Sequence, residues 1–433
     1  MNLLKTLIKD LHSFLILWIT QSLSALGSSM TNFALIIWSY QQHGSALQTA
    51  MLSVCSYLPY VIMSIFAGAL SDKWNKKIIM LVSDSFAALC TIVVLLLLKT
   101  GSLEIWHLYC LNALNGLMNT IQQPASDVAI SILTPKNHYQ KVSGMRSFSN
   151  SLISIMTPII ATTLLTLTSM DLIILLDLLT FGVAFVSLLC FIKIPTAHNE
   201  NVKKESVLQS AKSGLNFLKH NRGILNLILF LAAINFTASV FNATFPAMIL
   251  SRKGGGEVSL GIVNTVTGIA MLVGSVIASI LPTPKSRVRM ICNSLLLSMS
   301  TENFFLAFGS SVPVWCIGSV LGWIAIPIMN SNMDVIFRNY IPIEMQGRVY
   351  SARNTLQFFT IPIGYFLGGV LVDKVFEPFM IYQQTGEVLA TLFGTGKGSG
   401  AAFLLFILGI VGVLTCVIFR KNTDIWKLDR ITE

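Results

Sequence analysis

The chain has 433 residues, of which 54% are hydrophobic and only 11% are charged, and its mean hydropathy is +0.72. The apolar residues fall in blocks of about 20, the length that crosses ~30 Å of hydrocarbon as a helix, and this excludes a water-soluble protein. The net charge of +10 does not indicate nucleic-acid binding, because the cations are spread along the chain and form no single basic face.

Twelve apolar blocks each predict a membrane-spanning helix, since lipid offers a lone segment no other way to satisfy its backbone polar groups. Spans 1 to 12 cover residues 14–38, 48–71, 78–99, 106–132, 147–168, 172–194, 223–250, 259–281, 289–309, 313–336, 352–372 and 401–419. The sequence thus predicts an all-α integral membrane protein with an N-terminal six-helix bundle (1–194), a cytoplasmic connector with a short interfacial helix (195–222) and a C-terminal six-helix bundle (223–433).

The lysines and arginines orient these spans. If both termini and every even-numbered connector are cytoplasmic, five of the 29 Lys and Arg residues lie outside, namely Lys99, Arg252, Lys253, Lys374 and Lys397. Short cytoplasmic loops are the ones that carry positive charge in membrane proteins. Both termini are therefore predicted to be cytoplasmic.

The connector between spans 2 and 3 reads GALSDKWNKK, residues 68–77. A glycine, an acid four residues later, a basic residue, a turn and two more basic residues resemble the signature loop of the major facilitator superfamily. The matching residues are Gly68, Asp72, Lys73, Lys76 and Lys77. Asn75 stands where the family has a turn glycine, and Asn tolerates the left-handed backbone that such a turn is expected to need.

The resemblance implies that this loop is a cytoplasmic latch. Asp72 would face the N-terminal end of span 11, near residues 347–352, where free amide groups carry a partial positive charge. Lys76 would bridge to Asp127 at the cytoplasmic end of span 4. The alternative is that the three lysines only mark a cytoplasmic loop, which leaves Asp72 unexplained.

Residues 126–146 and 333–353 align without a gap at an offset of 207. The alignment pairs Asp127 with Asp334 and Arg146 with Arg353. We include Arg353 among the residues of the predicted latch. Two duplicated six-helix halves are typical of a transporter that rocks its halves about a central site.

Longer stretches, including residues 58–84, 175–185 and 375–380, resemble the macrolide-efflux type of bacterial facilitator, a branch that is also similar to enterobactin exporters. This resemblance implies a multi-pass exporter in the bacterial plasma membrane. Drug–proton antiporters usually have an arginine in span 4 at the position of Asn112. They also have a glycine-containing motif in span 5, of which this chain keeps Pro158 but none of the glycines.

Span 4 carries a stripe of amide side chains along one helical face. Spacings of 3, 4 and 3 residues align Asn112, Asn115, Asn119 and Gln122, and we expect this stripe to line the substrate cavity. Bonding between neighbouring helices is the alternative role for such amides. Further predicted cavity residues on other spans are Gln21, Asn32, Asn235, Asn242 and Trp323.

Three acids lie well within spans, where an ionised carboxylate is costly and calls for a reason. They are Asp84, Asp177 and Glu302. The resemblance places their spans at the periphery of the fold, so packing is as good an account of them as proton coupling. Asp84 ranks first for coupling because it lies about two turns from the latch; Asp127 and Asp334 follow.

The sequence contains no constellation of metal ligands or catalytic nucleophiles, so we predict no enzyme, no metal and no cofactor. A cavity of amides and rings without lysine or arginine suits uncharged or weakly cationic amphipathic compounds. The prediction is a monomeric secondary active exporter of such compounds, with macrolide-like antibiotics or other drugs as substrates and protons, or sodium, as the coupling ion. Export of an endogenous metabolite such as a siderophore is the alternative, and a lipid scramblase or membrane enzyme is a remote one.

Overall fold

The computed structural model describes residues 11–135, 138–194, 207–383 and 386–431. This part of the chain is helical and contains no strand, and nine of its stretches are long and apolar enough to cross a membrane. The protein is therefore a multi-pass helical membrane protein. Each predicted span coincides with a helix or a broken helix. The helices of spans 1, 4 and 9 are too polar to count among the nine. The number twelve and the side of the termini stay predictions.

The chain forms two compact units. The first combines Met1–Ile36 with Cys55–Glu205, and the second combines Ile37–Val54 with Ser206–Glu433. Six helices run from the start of the described chain to residue 190: α1 (His12–His43), α2 (Ala46–Lys73), α3 (Lys76–Lys99), α4 (Ile105–Leu133), α5 (Tyr139–Leu167) and α6 (Met170–Cys190).

Local chemistry explains where these helices begin and how closely they pack. The Asn75 side chain accepts the backbone N–H groups of Lys77 and Ile78 and so starts α3. α3 packs against both α4 and α6. On α4, Gly116 lies against α2, where a methyl group would come within 2.1 Å of the carbonyl oxygen of Ser56. Only a glycine allows the two backbones to approach this closely.

The second unit contains the remaining helices. They are α7 (Val207–His220), α8 (Arg222–Ser251), α9 (Glu257–Ile280), α10 (Arg287–Phe308), α11 (Val312–Trp323), α12 (Ile326–Tyr340), α13 (Ile343–Phe358), α14 (Thr360–Val370), a π-helical turn (Leu371–Phe376), α15 (Glu377–Ile381), α16 (Val388–Phe393), α17 (Ser399–Arg420), α18 (Thr423–Trp426) and a 3₁₀ turn (Lys427–Ile431). Its core centres on α8, which packs against α14 and α17.

Span 10 is broken into α11 and α12. Pro327 lies in the first turn of α12 and has no N–H to donate to Trp323, so one helical hydrogen bond is missing at the break. The carbonyl of Ile324 at the break lies against Gly274 of α9, where a methyl group would come within 2.2 Å of its oxygen. Sequence reasoning had treated 313–336 as one uninterrupted helix.

The connector helix predicted within 195–222 corresponds to α7. It packs along α13, and its Gly214 lies against the backbone of Arg348, where a methyl group would come within 2.4 Å of the carbonyl oxygen. α7 is thus docked on the second unit. Its predicted position at the membrane interface stays a prediction.

Candidate functional site

The first unit contains a cavity of about 360 Å³ between α1, α3, α4 and α6. Polar side chains dominate its walls, and α1 contributes hydroxyl groups at Ser24, Ser28, Ser29 and Thr31. Leu35, Leu108 and Phe181 supply apolar surface. None of the described residues that line the cavity is a lysine or an arginine. This cavity can therefore hold a ligand with hydrogen-bonding and apolar parts, but it offers no fixed positive charge to an anion.

All four members of the amide stripe on α4 line this cavity, together with Gln21 and Asn32 of α1. The stripe follows from helical geometry, because positions three or four apart share one face. The side-chain oxygen of Asn115 is buried and accepts no hydrogen bond from the described residues. A buried acceptor without a partner costs free energy, so a ligand that donates to it gains affinity.

Asp84 of α3 lies in the wall of the cavity, held by amide donors from two other helices. Gln122 Nε2 donates to Asp84 Oδ1 at 2.5 Å, and Gln21 Nε2 donates to Asp84 Oδ2 at 3.0 Å. Each oxygen of the carboxylate therefore accepts an amide N–H. Both partners are predicted cavity residues, but their contact with Asp84 was not predicted from the sequence.

Asp177 of α6 is the second acid in the cavity wall. Its side chain is 3% exposed, and Ser28 Oγ donates to its Oδ1 at 2.9 Å. Gly27 permits this contact, since a methyl group there would lie 2.9 Å from the Cα of Asp177. Both Asp84 and Asp177 thus face one cavity, although the family resemblance had placed their spans at the periphery.

Glu302 of α10 has different surroundings within the second unit. It is 6% exposed, and Trp323 Nε1 donates to its Oε1 at 2.7 Å. Gly322 of α11 lies directly against the carboxylate, where a methyl group would come within 2.7 Å of Oε2. Trp323, predicted as a cavity residue, therefore serves here as the donor to a buried acid.

The two remaining predicted cavity residues are on α8. Asn235 Nδ2 donates to the backbone carbonyl of Gln357 at 3.2 Å, as expected of an amide that joins two helices. Asn242 is exposed. Neither residue lines the cavity of the first unit.

The side chains of Gly68, Asp72 and Lys73 lie outside the described residues, so the predicted contact of Asp72 with residues 347–352 stays a prediction. Lys77 Nζ donates to the carbonyl oxygens of Leu189 at 2.9 Å and Ile192 at 2.8 Å, at the end of α6. A cation at a helix C-terminus is stabilising. One latch lysine therefore has a role inside the first unit that the sequence did not suggest.

Two further latch residues are described. Lys76 Nζ donates to the carbonyl oxygen of Trp74 at 3.3 Å, and its predicted bridge to Asp127 stays a prediction. Asn75 does not adopt a left-handed backbone: its φ is −63°, and its side chain instead starts α3. The expectation of a left-handed turn was wrong because helix capping, and not a reversal of φ, is what this position requires.

The duplicated pairs differ in their contacts. Arg146 Nη2 donates to Asp127 Oδ1 at 2.6 Å. In the second copy, Asp334 is exposed, whereas Arg353 Nε donates to Gln357 Oε1 at 3.0 Å and its guanidinium carbon lies 4.3 Å from the centre of the Phe337 ring.

Comparison with known proteins identifies relatives of this chain. The sequence model of the Major Facilitator Superfamily matches residues 17–365. "Macrolide efflux protein A" of Streptococcus pyogenes is 22% identical over 366 residues, which is 84% of this chain and 90% of the relative. "Uncharacterized MFS-type transporter YfiS" of Bacillus subtilis is 23% identical over 385 residues, covering 86% of this chain and 89% of the relative.

Solved structures show the same fold. A bacterial homologue of the human lysosomal transporter Spinster superposes with a TM-score of 0.67 at 13% identity, covering 98% of this chain and 97% of that one. A bacterial homologue of the iron transporter ferroportin gives 0.67 at 15% identity, covering 94% and 97%.

Proposed function

Because the chain belongs to the major facilitator superfamily, and is thus a transporter and not an enzyme, we propose that it exports small amphipathic compounds from the bacterial cytoplasm across the plasma membrane by exchange for protons. The single observation that carries this proposal is the cavity of the first unit, where an amide stripe and two carboxylates meet without a fixed cation. Macrolide-like drugs are the proposed substrates, because two relatives of this chain are named "Macrolide efflux protein A".

The lining chemistry supports this substrate class. Amides and hydroxyls can donate and accept, so they suit the scattered polar groups of an amphipathic drug. Phosphate and carboxylate groups need fixed cationic partners, which the cavity walls lack. A substrate with no charge, or with one protonated amine, fits best.

Asp84 is the proposed coupling group. As a carboxylate, it accepts N–H groups from Gln21 and Gln122. As a carboxylic acid it has an O–H to donate, and one amide must then turn its oxygen toward Asp84. Since Gln21 lies on α1 and Gln122 lies on α4, binding or release of a proton changes a hydrogen bond that joins α3 to one of these two helices. This links the charge of Asp84 to the packing of the cavity walls during alternating access.

Proteoliposomes with an imposed pH gradient test the coupling role. We expect the wild type to move a fluorescent substrate uphill and Asp84→Asn to lose uphill movement while still equilibrating the substrate down its own gradient. Undiminished uphill transport by Asp84→Asn contradicts the role of Asp84. The test is then repeated with Asp177, Asp127, Asp334 and Glu302 variants, and with a sodium gradient.

A compound panel tests the substrate class. Expression in a bacterial host that lacks its own pumps is expected to raise the minimum inhibitory concentration of amphipathic drugs, and not that of anionic ones. An unchanged profile for every compound argues against drug export. The assay leaves the fold and the membership of the family untouched.

The latch at Asp72 is a separate part of the proposal. Asp72→Asn removes a charge that would face the first turns of α13. Residues 347–352 lie inside this helix, which begins at Ile343, so the expectation that they carry free amide groups was wrong. We expect most transport to be lost while substrate binding remains measurable, because the start of the helix is still partially positive. Wild-type efflux from a well-expressed Asp72→Asn protein speaks against a latch.

A further inference from the structure

Two of the five lysines and arginines that are predicted to lie outside the cell line a single cavity of the second unit. This outer cavity has a volume of about 570 Å³, and its walls include Lys374 of the π-helical turn and Lys397 before α17. The end of α1 and the start of α2 supply further walls. The outer loops of membrane proteins are poor in positive charge. Two such lysines at one cavity therefore call for a reason.

Arg252, another of the five, is bound within the fold. Its guanidinium donates to the backbone carbonyl oxygens of Leu306 at 3.2 Å, Ala307 at 3.0 Å and Phe393 at 3.1 Å. These oxygens lie at the ends of α10 and α16, where a helix carries partial negative charge. The position of this cation is thus explained by packing.

Lys374 and Lys397 are not bound in this way. Neither forms an ion pair with a carboxylate of the described residues. The Lys397 ammonium lies 5.5 Å from the centre of the Tyr40 ring. Gly44 leaves room for it, since a methyl group there would come within 2.4 Å of Nζ. Both lysine side chains are exposed, so their charge can act on a ligand in the outer cavity.

The acid Asp373 also lines the outer cavity, but its carboxylate is bound to a helix start. It accepts the hydroxyl of Ser45 at 2.6 Å and the backbone N–H groups of Ala46 at 3.0 Å and Leu47 at 2.9 Å, at the start of α2. Gly369, one turn earlier, permits this contact, because a methyl group there would come within 2.4 Å of the Leu47 Cα. The partial positive charge of the helix start offsets part of the charge of Asp373.

Glu377, the second acid of the outer cavity, binds the start of α17 in the same way. It accepts the backbone N–H groups of Gly398 at 3.0 Å and Ala401 at 3.0 Å. Each helix start contributes roughly half a unit of positive charge. With the two lysines and the two helix starts set against the two acids, the outer cavity keeps a net charge of about +1. Its electrostatics therefore favour an anion.

Apolar surface borders this charged cavity. Ile381 lines it and is 67% exposed, and the next residue, Tyr382, is 82% exposed. Val375 and Phe379 of the same stretch are exposed as well. Exposed apolar side chains of a membrane protein are covered by hydrocarbon, and burying them against acyl chains is favourable. A soluble anion makes no use of this border, whereas an anion that carries acyl chains does.

We propose that the outer cavity is a binding site for an anionic phospholipid, with its phosphate bound by Lys374 and Lys397 and its acyl chains on the apolar surface that begins at Ile381. An ammonium group binds phosphate as a compact point charge. A zwitterionic lipid is the weaker ligand, because its own cation is repelled by the net positive charge of the cavity. The site does not depend on which compound the protein exports, so it can be tested separately from export.

Thermal unfolding of the full chain in mixed micelles tests the site. A lipid that binds only the folded protein raises the melting temperature. We expect phosphatidylglycerol to do so at a lower mole fraction than phosphatidylcholine. Lys374→Gln or Lys397→Gln is expected to raise the phosphatidylglycerol fraction that gives half of the effect about fivefold, which corresponds to about 1 kcal/mol. For the double variant we expect a rise of about 30-fold, or about 2 kcal/mol.

Lys253→Gln is the matched control. Lys253 is another predicted outer lysine of the second unit, but it is not among the described residues that line the outer cavity. Its substitution is expected to leave the response to phosphatidylglycerol unchanged. Equal responses of the wild type to the two lipids overturn the proposal. An equal loss of response in Lys253→Gln and in the cavity variants overturns it too, since the lipid then senses only the general surface charge.

Soluble anions distinguish a lipid from a free phosphate. Inorganic phosphate and glycerol phosphate carry the phosphate group without acyl chains, and we expect neither to raise the melting temperature of the wild type. If either one stabilises the wild type as phosphatidylglycerol does, the cavity takes a soluble anion and the lipid assignment fails.

Native mass spectrometry then counts the lipids that stay bound. The double variant is expected to retain one phosphatidylglycerol molecule fewer than the wild type and Lys253→Gln. Equal numbers in all three proteins contradict a site at these lysines.

Discussion

In the first unit, the acids within the spans line a cavity. In the second unit, the acid Glu302 is buried among other residues. Asp84 and Asp177 line about 360 Å³ of space with amide and hydroxyl partners. Glu302 is in contact with an indole N–H and a glycine, and it is not among the residues that line that cavity. An acid within a span can exchange a proton or bind a substrate only if a path reaches it. The role of such an acid is therefore indicated by the residues that it contacts, and less by its depth in the membrane.

The duplicated sequence shows the same divergence on a smaller scale. Asp127 and Arg146 form a direct ion pair, but in the second copy Arg353 lies over the ring of Phe337 and binds Gln357. The two copies thus carry the same polar residue types, and the hydrogen bonds described for their arginines differ.

The largest effect is expected where α2 and α4 pack closely in the first unit. In Gly116→Ala the new methyl group meets the backbone carbonyl of Ser56, and a backbone atom cannot move aside as a side chain does. We expect a loss of about 3 kcal/mol or more in the free energy of unfolding, the upper range for overpacking. Thermal unfolding in detergent measures it.

Gly182→Ala on α6 is the control, because its added methyl group meets no described atom within 4 Å outside the backbone of its own helix. We expect its melting temperature to match that of the wild type. If Gly116→Ala is as stable as Gly182→Ala, the close approach of α2 and α4 is not a feature of the folded protein.

The enclosed acid of the second unit is expected to have the next largest effect. Trp323→Phe removes the indole donor from Glu302, and a buried acceptor that loses its donor costs about 1–3 kcal/mol. In a Glu302→Gln background, the same substitution is expected to cost a similar amount if Glu302 is neutral in the folded protein, and less if Glu302 is ionised. Chemical denaturation of the four proteins measures both penalties.

If Glu302 has a packing role and no role in proton coupling, the wild type and Glu302→Gln should show the same uphill transport per folded molecule. Loss of uphill transport in Glu302→Gln, with Asp84→Asn unaffected, reverses the comparison between the units and assigns coupling to the second.

A smaller effect, on selectivity, is expected at the amide stripe. Asn115→Leu or Asn119→Leu removes hydrogen-bonding groups from the cavity wall and is expected to change the relative resistance to different compounds by roughly tenfold, about 1.4 kcal/mol. Resistance profiles over a drug panel measure this, with protein abundance checked by immunoblotting. Asn242→Leu, on the exposed side chain of α8, is the control. If the stripe variants only vanish from the membrane, the amides hold helices together.

The smallest effect is expected at the ion pair of the first repeat. The side chains of Arg146 and Asp127 are 39% and 47% exposed, so Asp127→Asn is expected to cost no more than about 1 kcal/mol. Salt should reduce this difference further, since screening weakens exposed pairs. Unfolding at low and high ionic strength measures it, with Asp334→Asn in the second repeat for comparison. A loss of several kcal/mol shows that Asp127 has a partner in addition to Arg146.

The sequence by itself determined the membrane-spanning helices, their approximate ends, the duplication and the amide face of α4. Each of these depends on residues that are neighbours in the chain, because a helix closes its hydrogen bonds within four residues and apolar length sets the crossing of lipid. The break in span 10 does not follow from Pro327 alone, because Pro59, Pro124, Pro158 and Pro246 also lie inside predicted spans and their helices are continuous.

Only the tertiary structure decided which polar groups meet. Gln21, Asp84 and Gln122 come from three helices, Lys77 binds the end of α6, and Asp373 binds the start of α2. An amide or a carboxylate forms equally good hydrogen bonds with any suitable partner, so its residue type does not identify that partner. The choice is made by glycines such as Gly27, Gly116 and Gly369, which bring particular backbones together and carry distant side chains with them.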